Sequence, residues 1–292
     1  MMIPLPTKAY SLALERLRTL PFNTSFAEAV LTGSARGFAY ADDPERPAAF
    51  VVGIPAGMTL LFGESGNAGF VRAVYDYVTS ADGARRRMEL LQAWPDAWEH
   101  RIRDWMTGRI VSGHEVEAAK LTPAQAMTAH PGKIVEWVRL NYTLDVAQFR
   151  SRPRKPLPAM CRIARVGPEG FDVKGSTVPH EFWDSAEEFV RRGIGYAVWR
   201  DEQIASLAFS AFVVAGQVEV GIETRSGDRG LGLATHACAA LIEHCLAKEI
   251  EPLWSCRQGN RGSEATARTL GFVETQQIPY FALPQSTAPA QK

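Results

Sequence analysis

The spacing of hydrophobic positions changes within one stretch of the second half of the chain. Residues 217–224 alternate, with Val218, Val220 and Ile222 apolar, as in a half-buried β-strand. Residues 233–246 instead show helical spacing, with apolar side chains at Ala234, Cys238, Leu241, Ile242 and Cys245. The pattern predicts a strand that leads through a short loop into a long helix.

The rest of this half contains the same two spacings. Alternating runs predict a hairpin at 161–166 and 171–175, an antiparallel meander at 193–200, 203–214 and 217–224, and further strands at 251–256 and 277–283. Helices are predicted to begin at Ser185 and to cover 263–270. Strands and helices mixed in this order indicate an α/β fold.

The amino-terminal half has a similar order of elements. Two helices are predicted at 7–20 and from Asn23 or Thr24 to Gly33, and a three-strand meander at 36–41, 48–54 and 58–64. Helical spacing from Asn67 to about Thr107 includes Leu90, Leu91 and Trp94, and a helix at 123–128 and a strand at 133–145 follow. The residues Trp94, Trp98 and Trp105 suit either a binding platform or the core, and the core is favoured.

The segment 150–160, "RSRPRKPLPAM", is rich in Pro and Arg and is the predicted linker. We therefore predict an amino-terminal α/β domain at 1–150 and a second domain at 151–292. The order of elements suggests that the first domain is a diverged, incomplete copy of the second, although no motif repeats between them.

Composition excludes several classes of protein. The 292 residues include 32 basic and 32 acidic ones, so no net charge attracts nucleic acid or an anionic membrane. No run reaches the roughly 20 apolar residues of a membrane span, and the start lacks a signal-peptide pattern, so we expect a cytoplasmic protein. The four cysteines show no zinc spacing, and no metal is expected. Cys256 with His236 or His244 would suit a hydrolase, but nothing local positions such a pair.

The loop between strand and helix has the composition of an anion site. It reads Arg-Gly-Leu-Gly-Leu-Ala at 229–234. Backbone N–H groups in the first turn of a helix have no partner within the helix, and glycine lets a ligand approach the main chain closely. The alternative is an ordinary turn, because glycine pairs are common in such loops.

The spacing of Arg229, Gly232 and Ala234 resembles the R-x-x-G-x-A loop of the GNAT N-acetyltransferase superfamily. The resemblance extends downstream to Asn260, Ser263 and the "ARTLGF" stretch at 267–272, and upstream to a helix-containing segment at 175–198. It implies the acyl-CoA N-acyltransferase fold, a mixed and mostly antiparallel sheet flanked by helices. Phrases such as "GIET" and "RGLGLAT" also resemble the subgroup that includes the zwittermicin A resistance protein.

The resemblance implies acetyl-CoA as co-substrate and a set of residues that bind it. Thr224 would contact it through the backbone, and Asn260 and Ser263 would lie beside the pantetheine arm, unless they only cap the following helix. The complete implied set is Thr224, Arg229, Gly230, Leu231, Gly232, Leu233, Ala234, Thr235, Asn260 and Ser263.

Acetyl transfer to an amine also requires a base, because a protonated amine is not a nucleophile. Glu223 and Glu219 are the candidates, since period two places both on one face of the strand leading into the loop, and Glu223 comes first because it is nearer the loop. The alternative is that these glutamates pair with arginines across the sheet. In many members of the family, a tyrosine of the last helix is the general acid that protonates the departing CoA sulfur. The resemblance places Ala267 at that position, so Tyr280 or water is expected to supply the proton. The alternative for Tyr280 is that it only packs in its strand.

The predicted function is acetyl-CoA-dependent N-acetylation of a primary amine on a small metabolite or antibiotic-like molecule. The alternative is a non-catalytic GNAT-fold protein that binds acyl-CoA as a sensor or scaffold, which the alanine at position 267 keeps open. The expected partner is the small-molecule substrate, with neither nucleic acid nor membrane, and the chain is expected to be a monomer or homodimer.

Overall fold

The computed structural model describes residues 1–80, 85 and 87–286, which form two compact units. The first unit holds the described residues of 1–139, together with 257–259 and those from Gln277 on. The second holds 140–256 and 260–276. The division near residue 140 falls inside a strand rather than in the segment 150–160, because the alternating pattern of 133–145 continues as one strand, Ile134–Leu144.

The strands and helices are numbered separately in chain order. The strands are β1 (Ile3–Pro4), β2 (Phe38–Ala41), β3 (Ala49–Gly53), β4 (Met58–Gly63), β5 (Glu89–Trp94), β6 (Ile110–Ser112), β7 (Ile134–Leu144), β8 (Cys161–Arg165), β9 (Gly195–Arg200), β10 (Gln203–Val214), β11 (Gln217–Thr224), β12 (Glu251–Arg257) and β13 (Phe272–Leu283). The helices are α1 (Tyr10–Leu17), α2 (Ser25–Leu31), α3 (Ala68–Val78), α4 (Asp96–Trp105), α5 (Gly113–Ala118), α6 (Pro123–Ala129), α7 (Val146–Ser151), α8 (Ala186–Arg192), α9 (Leu233–Ala247) and α10 (Arg261–Thr269).

The first unit is built on a mostly antiparallel sheet. Strands β1 to β4 pair in chain order, each antiparallel to the next. β5 is parallel to β4 and antiparallel to the last residues of β13, and β6 is parallel to the start of β7. Helices α3 and α4 cover this sheet, and Phe70, Val74, Trp98 and Ile102 join one buried cluster with Leu61 of β4. Trp98 is fully buried, which confirms the core prediction for this residue, while Trp94 and Trp105, predicted with it, are only partly buried.

The second unit follows the predicted meander. β8, β9, β10 and β11 are each antiparallel to the next, and β12 is parallel to β11. Helix α9 packs on this sheet with a face of small and aliphatic side chains that are fully buried, namely Ala237, Cys238, Leu241, Ile242 and Cys245. The structure therefore confirms the strand–loop–helix prediction and the mixed α/β fold with mostly antiparallel sheets flanked by helices.

Two sequence predictions were wrong. Residues 89–94, predicted as helix through Leu90, Leu91 and Trp94, form β5, because a short apolar run also suits a strand buried beside a parallel neighbour. Residues 171–175, predicted as a strand, form a turn at 171–172 followed by irregular backbone, and β8 pairs with β9 instead. The backbone just after this segment donates its N–H groups to a side chain rather than to a neighbouring strand.

Candidate active site in the second unit

The site begins where β11 leads into α9. A short 3-10 turn at Ser226–Asp228 follows the strand, and Gly230 and Gly232 then adopt left-handed backbone angles, with φ of +83° and +77°. A β-carbon built on either glycine would meet no atom within 4 Å. These positions require glycine for their backbone angles, and the space over the loop is open to a ligand.

The start of α9 has no side-chain cap. Gly232 is the N-cap residue, and Leu231 beside it is 46% exposed. Because the first N–H groups of a helix have no acceptor within the helix, those of Leu233 and Ala234 are left for a partner outside it. The helix dipole adds partial positive charge at the same place. Backbone donors and an open approach together make this loop suitable for a diphosphate.

The buried side chain of Asp228 connects the loop to the sheet. Asp228 is 2% exposed and accepts hydrogen bonds from Arg225 and, at 2.8 Å, from Arg200 of β9. These two guanidinium groups hold the pKa of Asp228 below its ordinary value of 3.8, with the hydrogen bond from Arg225 as the largest cause. The sheet and the loop are therefore joined by a charged network that does not involve the open glycine segment.

A second buried carboxylate, that of Glu223 near the end of β11, joins two loops. Its Oε2 accepts hydrogen bonds from the backbone N–H groups of Ser176 and Thr177, at 2.8 and 3.2 Å, and from the Ser176 hydroxyl at 3.3 Å. Its Oε1 accepts from the N–H of Thr224 at 3.2 Å and from the guanidinium of Arg229 at 3.3 Å. The carboxylate, 8% exposed, therefore already has five donors.

Close packing around the Glu223 carboxylate explains why residue 175, in the segment before α8, is a glycine. A β-carbon built on Gly175 would lie 2.3 Å from Oε2 of Glu223, so this position accepts no side chain without moving the carboxylate. On the other side, Arg229 donates through Nε to the carbonyl of Thr224 at 3.1 Å, while its side chain is 66% exposed. The guanidinium thus contacts the end of the strand and remains accessible to a ligand.

Glu219 has different surroundings, although it lies on the same strand. It is 7% exposed, and its Oε1 accepts a hydrogen bond from the hydroxyl of Ser255 on β12 at 3.2 Å. The parallel pairing of β11 with β12 covers three residue pairs, the last of which is Glu219 with Leu253. β11 continues to Thr224 and β12 to Arg257 beyond that pair. Glu219 therefore marks the point at which the two strands part.

The polar residues after β12 have structural partners. The side chain of Asn260 accepts a hydrogen bond from the N–H of Ser263 at 3.3 Å and so caps α10. The hydroxyl of Ser263 accepts one from the indole of Trp254 at 3.1 Å. Capping, the alternative for these two residues, is thus present in the structure, and their contact with a cofactor stays a prediction. Ala267 is fully buried on α10.

Two tyrosines are relevant to the missing general acid. Tyr280 belongs to the first unit, where it lies 7% exposed in a cluster with Val111, Val116 and Trp137. Tyr142 belongs to the second unit, is 2% exposed, and its hydroxyl has no hydrogen-bond partner among the described residues. Burial raises the pKa of Tyr142 well above its usual range, with a further contribution from nearby Cys256.

Sequence reasoning missed Tyr142, whose only signal was a tyrosine at an alternating position of a strand.

The histidines of α9 contribute less to the site. Burial lowers the pKa of His236 and of His244, and Nδ1 of His244 lies 3.1 Å from the hydroxyl of Tyr196.

Neither a metal cluster nor a membrane span is found in the part of the chain that the structure describes. No three side chains of His, Cys, Asp and Glu come together there in a way that could hold a metal ion. Within the same residues, no helix combines the length and the apolar character that crossing a bilayer requires.

Burial raises the pKa of the Cys245 thiol to about 12, so this cysteine stays protonated at neutral pH.

Comparison with known proteins gives one family along most of the chain. The model of the GNAT acetyltransferase family matches residues 19–281. YdfB of Bacillus subtilis (strain 168), named as an uncharacterized N-acetyltransferase, is 25% identical over 282 residues, which cover 95% of this chain and 97% of that protein.

Solved structures with the same fold include proteins of two-domain type. A GCN5-related N-acetyltransferase-like protein from Streptococcus suis 89/1591 has a TM-score of 0.67 at 16% identity, covering 94% of this chain and 98% of that one. A tandem GNAT protein from the clavulanic acid biosynthesis pathway has a TM-score of 0.58 at 12% identity, covering 99% of both chains. At these identities the likeness concerns the fold.

The charged network under the loop predicts a pH dependence of stability. A carboxyl group whose pKa is lowered by folding stabilises the fold above its unfolded pKa, and this contribution is lost as the pH falls through the folded pKa. We expect Asp228→Asn to lower the free energy of unfolding at pH 7, and the difference from the unsubstituted protein to shrink below about pH 4. Urea denaturation between pH 3 and pH 8 measures it. The exposed Asp172→Asn is the control, and a difference that is independent of pH would contradict the assignment.

Proposed function

Because the chain belongs to the GNAT acetyltransferase family and is an N-acetyltransferase, we propose that it moves an acetyl group from acetyl-CoA directly to the primary amine of a small molecule. The observation that carries the proposal is the parting of β11 from β12 after the pair Glu219 and Leu253, beside an open glycine loop. Parted parallel strands leave backbone groups of β11 available to a ligand. The loop offers donors for a diphosphate at one end of the same strand.

The residues of the loop fit the co-substrate. Gly230 and Gly232 leave space over the main chain, and the start of α9 offers N–H groups from Leu233, Ala234 and Thr235, although Thr235 already donates to the carbonyl of Gly232. Leu231 and Arg229 flank this space, and we propose that the exposed guanidinium of Arg229 contacts a phosphate. Bound acetyl-CoA supplies the activated acetyl thioester. The backbone of Thr224, at the end of β11, would contact its pantetheine arm.

We propose Glu219 as the base, ahead of Glu223. Glu219 lies where the strands part, and its Oε1 accepts a hydrogen bond from the hydroxyl of Ser255. A buried carboxylate here attracts the cationic amine and can take its proton directly or through water. The five donors around Glu223 occupy the lone pairs with which a base would take a proton.

Glu223 is then a positioning residue. Through one carboxylate it fixes the segment at Ser176 and Thr177 and orients Arg229 beside the loop. Charge-assisted hydrogen bonds of this kind are among the stronger ones in proteins. We propose that the segment 175–177 borders the acceptor site and that Glu223 keeps it in place.

For the general acid we propose Tyr142 in place of Tyr280. The raised pKa keeps the hydroxyl of Tyr142 protonated at neutral pH, and charges on α10, Glu264 and Arg268, influence it. Because this hydroxyl has no hydrogen-bond partner among the described residues, we propose that it donates a hydrogen bond to a thiolate that leaves beside α10; the raised pKa makes full release of its proton less favourable than from an ordinary tyrosine. Tyr280 lies in the hydrophobic cluster of the first unit, and its role as acid stays a prediction.

The acceptor is proposed by chemical class only. A primary amine on a metabolite or antibiotic-like molecule fits the buried carboxylate of Glu219, and the resemblance to the zwittermicin A resistance subgroup supports the same class. A cytoplasmic location, a monomer or homodimer, and the absence of nucleic-acid and membrane partners stay predictions.

The function is tested by binding and turnover measured together. We expect calorimetry to show acetyl-CoA binding, and thiol release to show turnover with primary amines. Gly232→Val should weaken acetyl-CoA binding by about tenfold or more, because a branched side chain is strained at positive φ and fills the space over the loop. Gly216→Val, at a positive φ of +76° in the distant β10–β11 turn, is the matched control.

Two outcomes of this experiment would count against the proposal. Failure to bind acetyl-CoA at millimolar concentration would overturn it. Binding without turnover on a broad amine panel would favour the sensor instead.

The base assignment predicts different kinetics for the two glutamates. Glu219→Gln should lower kcat by about 10² to 10⁴-fold with the KM for acetyl-CoA nearly unchanged, because only proton removal is lost. Glu223→Gln should instead raise the KM for acetyl-CoA, because Arg229 and the segment 175–177 lose their anchor. Steady-state thiol release measures both, with the exposed Glu251→Gln as control. The assignment is wrong if Glu223→Gln abolishes kcat while Glu219→Gln does not.

The acid assignment is tested by removing one hydroxyl at a time. Tyr142→Phe should lower kcat by about tenfold or more, because the leaving thiolate loses its proton donor. It should leave thermal stability unchanged or higher, because the buried hydroxyl has no partner among the described residues. Tyr280→Phe should retain kcat. Equal kcat for Tyr142→Phe and the unsubstituted enzyme would remove Tyr142 from the mechanism.

A further inference from the structure

The face of β11 that carries the two glutamates continues onto β10 as an apolar surface. Paired residues of neighbouring strands project from the same face of a sheet. The β10 residues that pair with positions 219, 221 and 223 of β11 are all apolar, namely Phe212, Phe209 and Leu207. A ligand that reaches either carboxylate therefore meets only apolar side chains on the β10 side.

A β-bulge in β10 brings two phenylalanines to this face. The pairing with β11 shifts just before Phe212, where Ala211 is the additional residue. In an uninterrupted strand, residues 209 and 212 would point to opposite faces, because side chains alternate. With the bulge, Phe209 pairs with Gly221 and Phe212 with Glu219. The irregularity thus places Phe212 beside the carboxylate that we propose as the base.

The residue between the two glutamates on this face is a glycine, and an aromatic ring fills the space above it. A β-carbon built on Gly221 would lie 2.5 Å from Cζ of Phe209. The ring of Phe209 therefore takes the place of a side chain between Glu219 and Glu223. Phe209 and Phe212 are both buried, so their rings are fixed by packing.

A third phenylalanine, Phe182, contacts these two rings from the segment before α8. Its ring centroid lies 5.5 Å from that of Phe212, at an interplanar angle of 88°, and 5.8 Å from that of Phe209. Unlike the other two, Phe182 is partly exposed. The next residue, Trp183, holds the segment by donating its indole N–H to the carbonyl of Ser210 at 2.8 Å. Phe182, Phe209 and Phe212 together form what we call the aromatic wall.

The two sides of Glu219 differ in polarity. Toward β12, the hydroxyl of Ser255 donates to its Oε1 at 3.2 Å. Toward β10 lies the aromatic wall, which offers a ligand no hydrogen-bond partner. Polar groups that lose water against such a surface cost free energy, whereas an apolar group placed there gains by burial. An amine carried on an apolar group therefore fits this site better than a polyhydroxylated amine.

From these observations we propose that the acceptor is a primary amine joined by a short chain to an aromatic ring, with its ammonium group at Glu219 and its ring against Phe182. Aromatic pairs in edge-to-face or offset contact are favourable beyond their buried area, and an ammonium group is attracted to ring faces. Phe182 is then a specificity-determining residue. This inference rests on the proposed function, because it takes Glu219 as the group that meets the amine.

The first test compares two acceptors of equal chain length on the unsubstituted protein. Thiol release is measured with 2-phenylethylamine and with ethanolamine, which carries a hydroxyl in place of the ring. We expect kcat/KM to be at least about tenfold higher for 2-phenylethylamine, because burial of its ring adds to binding. Equal values, or a higher value for ethanolamine, overturn the proposal.

Substitution of Phe182 assigns the preference to the aromatic wall. Phe182→Ala should lower kcat/KM for 2-phenylethylamine by about tenfold, mainly through KM, and change the value for ethanolamine by less than about twofold. Phe182→Tyr should retain the preference because it retains the ring. Phe171→Ala is the matched control, since Phe171 is also partly exposed and its ring meets that of His180 rather than β10. An equal loss for both acceptors in Phe182→Ala contradicts the assignment.

Failure of the proposed function would be recognised separately. If no amine is acetylated, the transfer proposal fails, and calorimetric titration of the full chain with the same two amines still tests the recognition. 2-Phenylethylamine should bind at least about tenfold more tightly than ethanolamine, and Phe182→Ala should remove most of that difference. Equal binding of the two amines overturns the inference whether or not the protein shows turnover.

Discussion

The hydrogen bonding of one buried carboxylate, that of Glu223, sets the geometry of the candidate active site. A carboxylate removed from water is costly unless donors replace its hydration, and here five donors do so. They come from Ser176 and Thr177 on one side and from Thr224 and Arg229 on the other. Because all must converge on one group, the segment at Ser176 and Thr177 and the loop that holds Arg229 cannot move independently. Gly175 is part of the same constraint, since a side chain there would displace the carboxylate.

The two units use one topology with different pairing. Each contains a strand, a loop and a helix followed by a parallel strand, namely β4, α3 and β5 in the first and β11, α9 and β12 in the second. In the first unit the parallel pairing extends almost to the end of β4, which leaves the sheet closed. In the second it ends at Glu219, five residues before β11 ends at Thr224. The parallel pairing therefore ends well before the end of β11 in the second unit and almost at the end of β4 in the first.

The sequence predicted the regular elements of the second unit well because alternation and helical spacing were unambiguous there. β10, β11 and α9 follow their predicted runs closely. The prediction was wrong at Leu90 to Trp94. This apolar run is long enough for either a helix or a strand, and it forms a strand because it pairs with β4. Tyr142 could not be identified, because its relevance lies in burial without a partner, which a one-dimensional pattern does not show.

Sequence position placed Glu223 ahead of Glu219 as candidate base, because Glu223 is nearer the loop, whereas the surroundings of the two side chains favour the opposite order that we propose. They lie four residues apart on one face, and their exposures of 7% and 8% are almost equal. Neighbours rather than burial separate them. Glu223 meets N–H groups of loops on both sides, and these donors occupy the lone pairs of its oxygens. Glu219 instead faces β12 at the last paired position, where the hydroxyl of Ser255 orients it. Because their surroundings differ in this way, we propose anchoring for Glu223 and proton transfer for Glu219 along one strand.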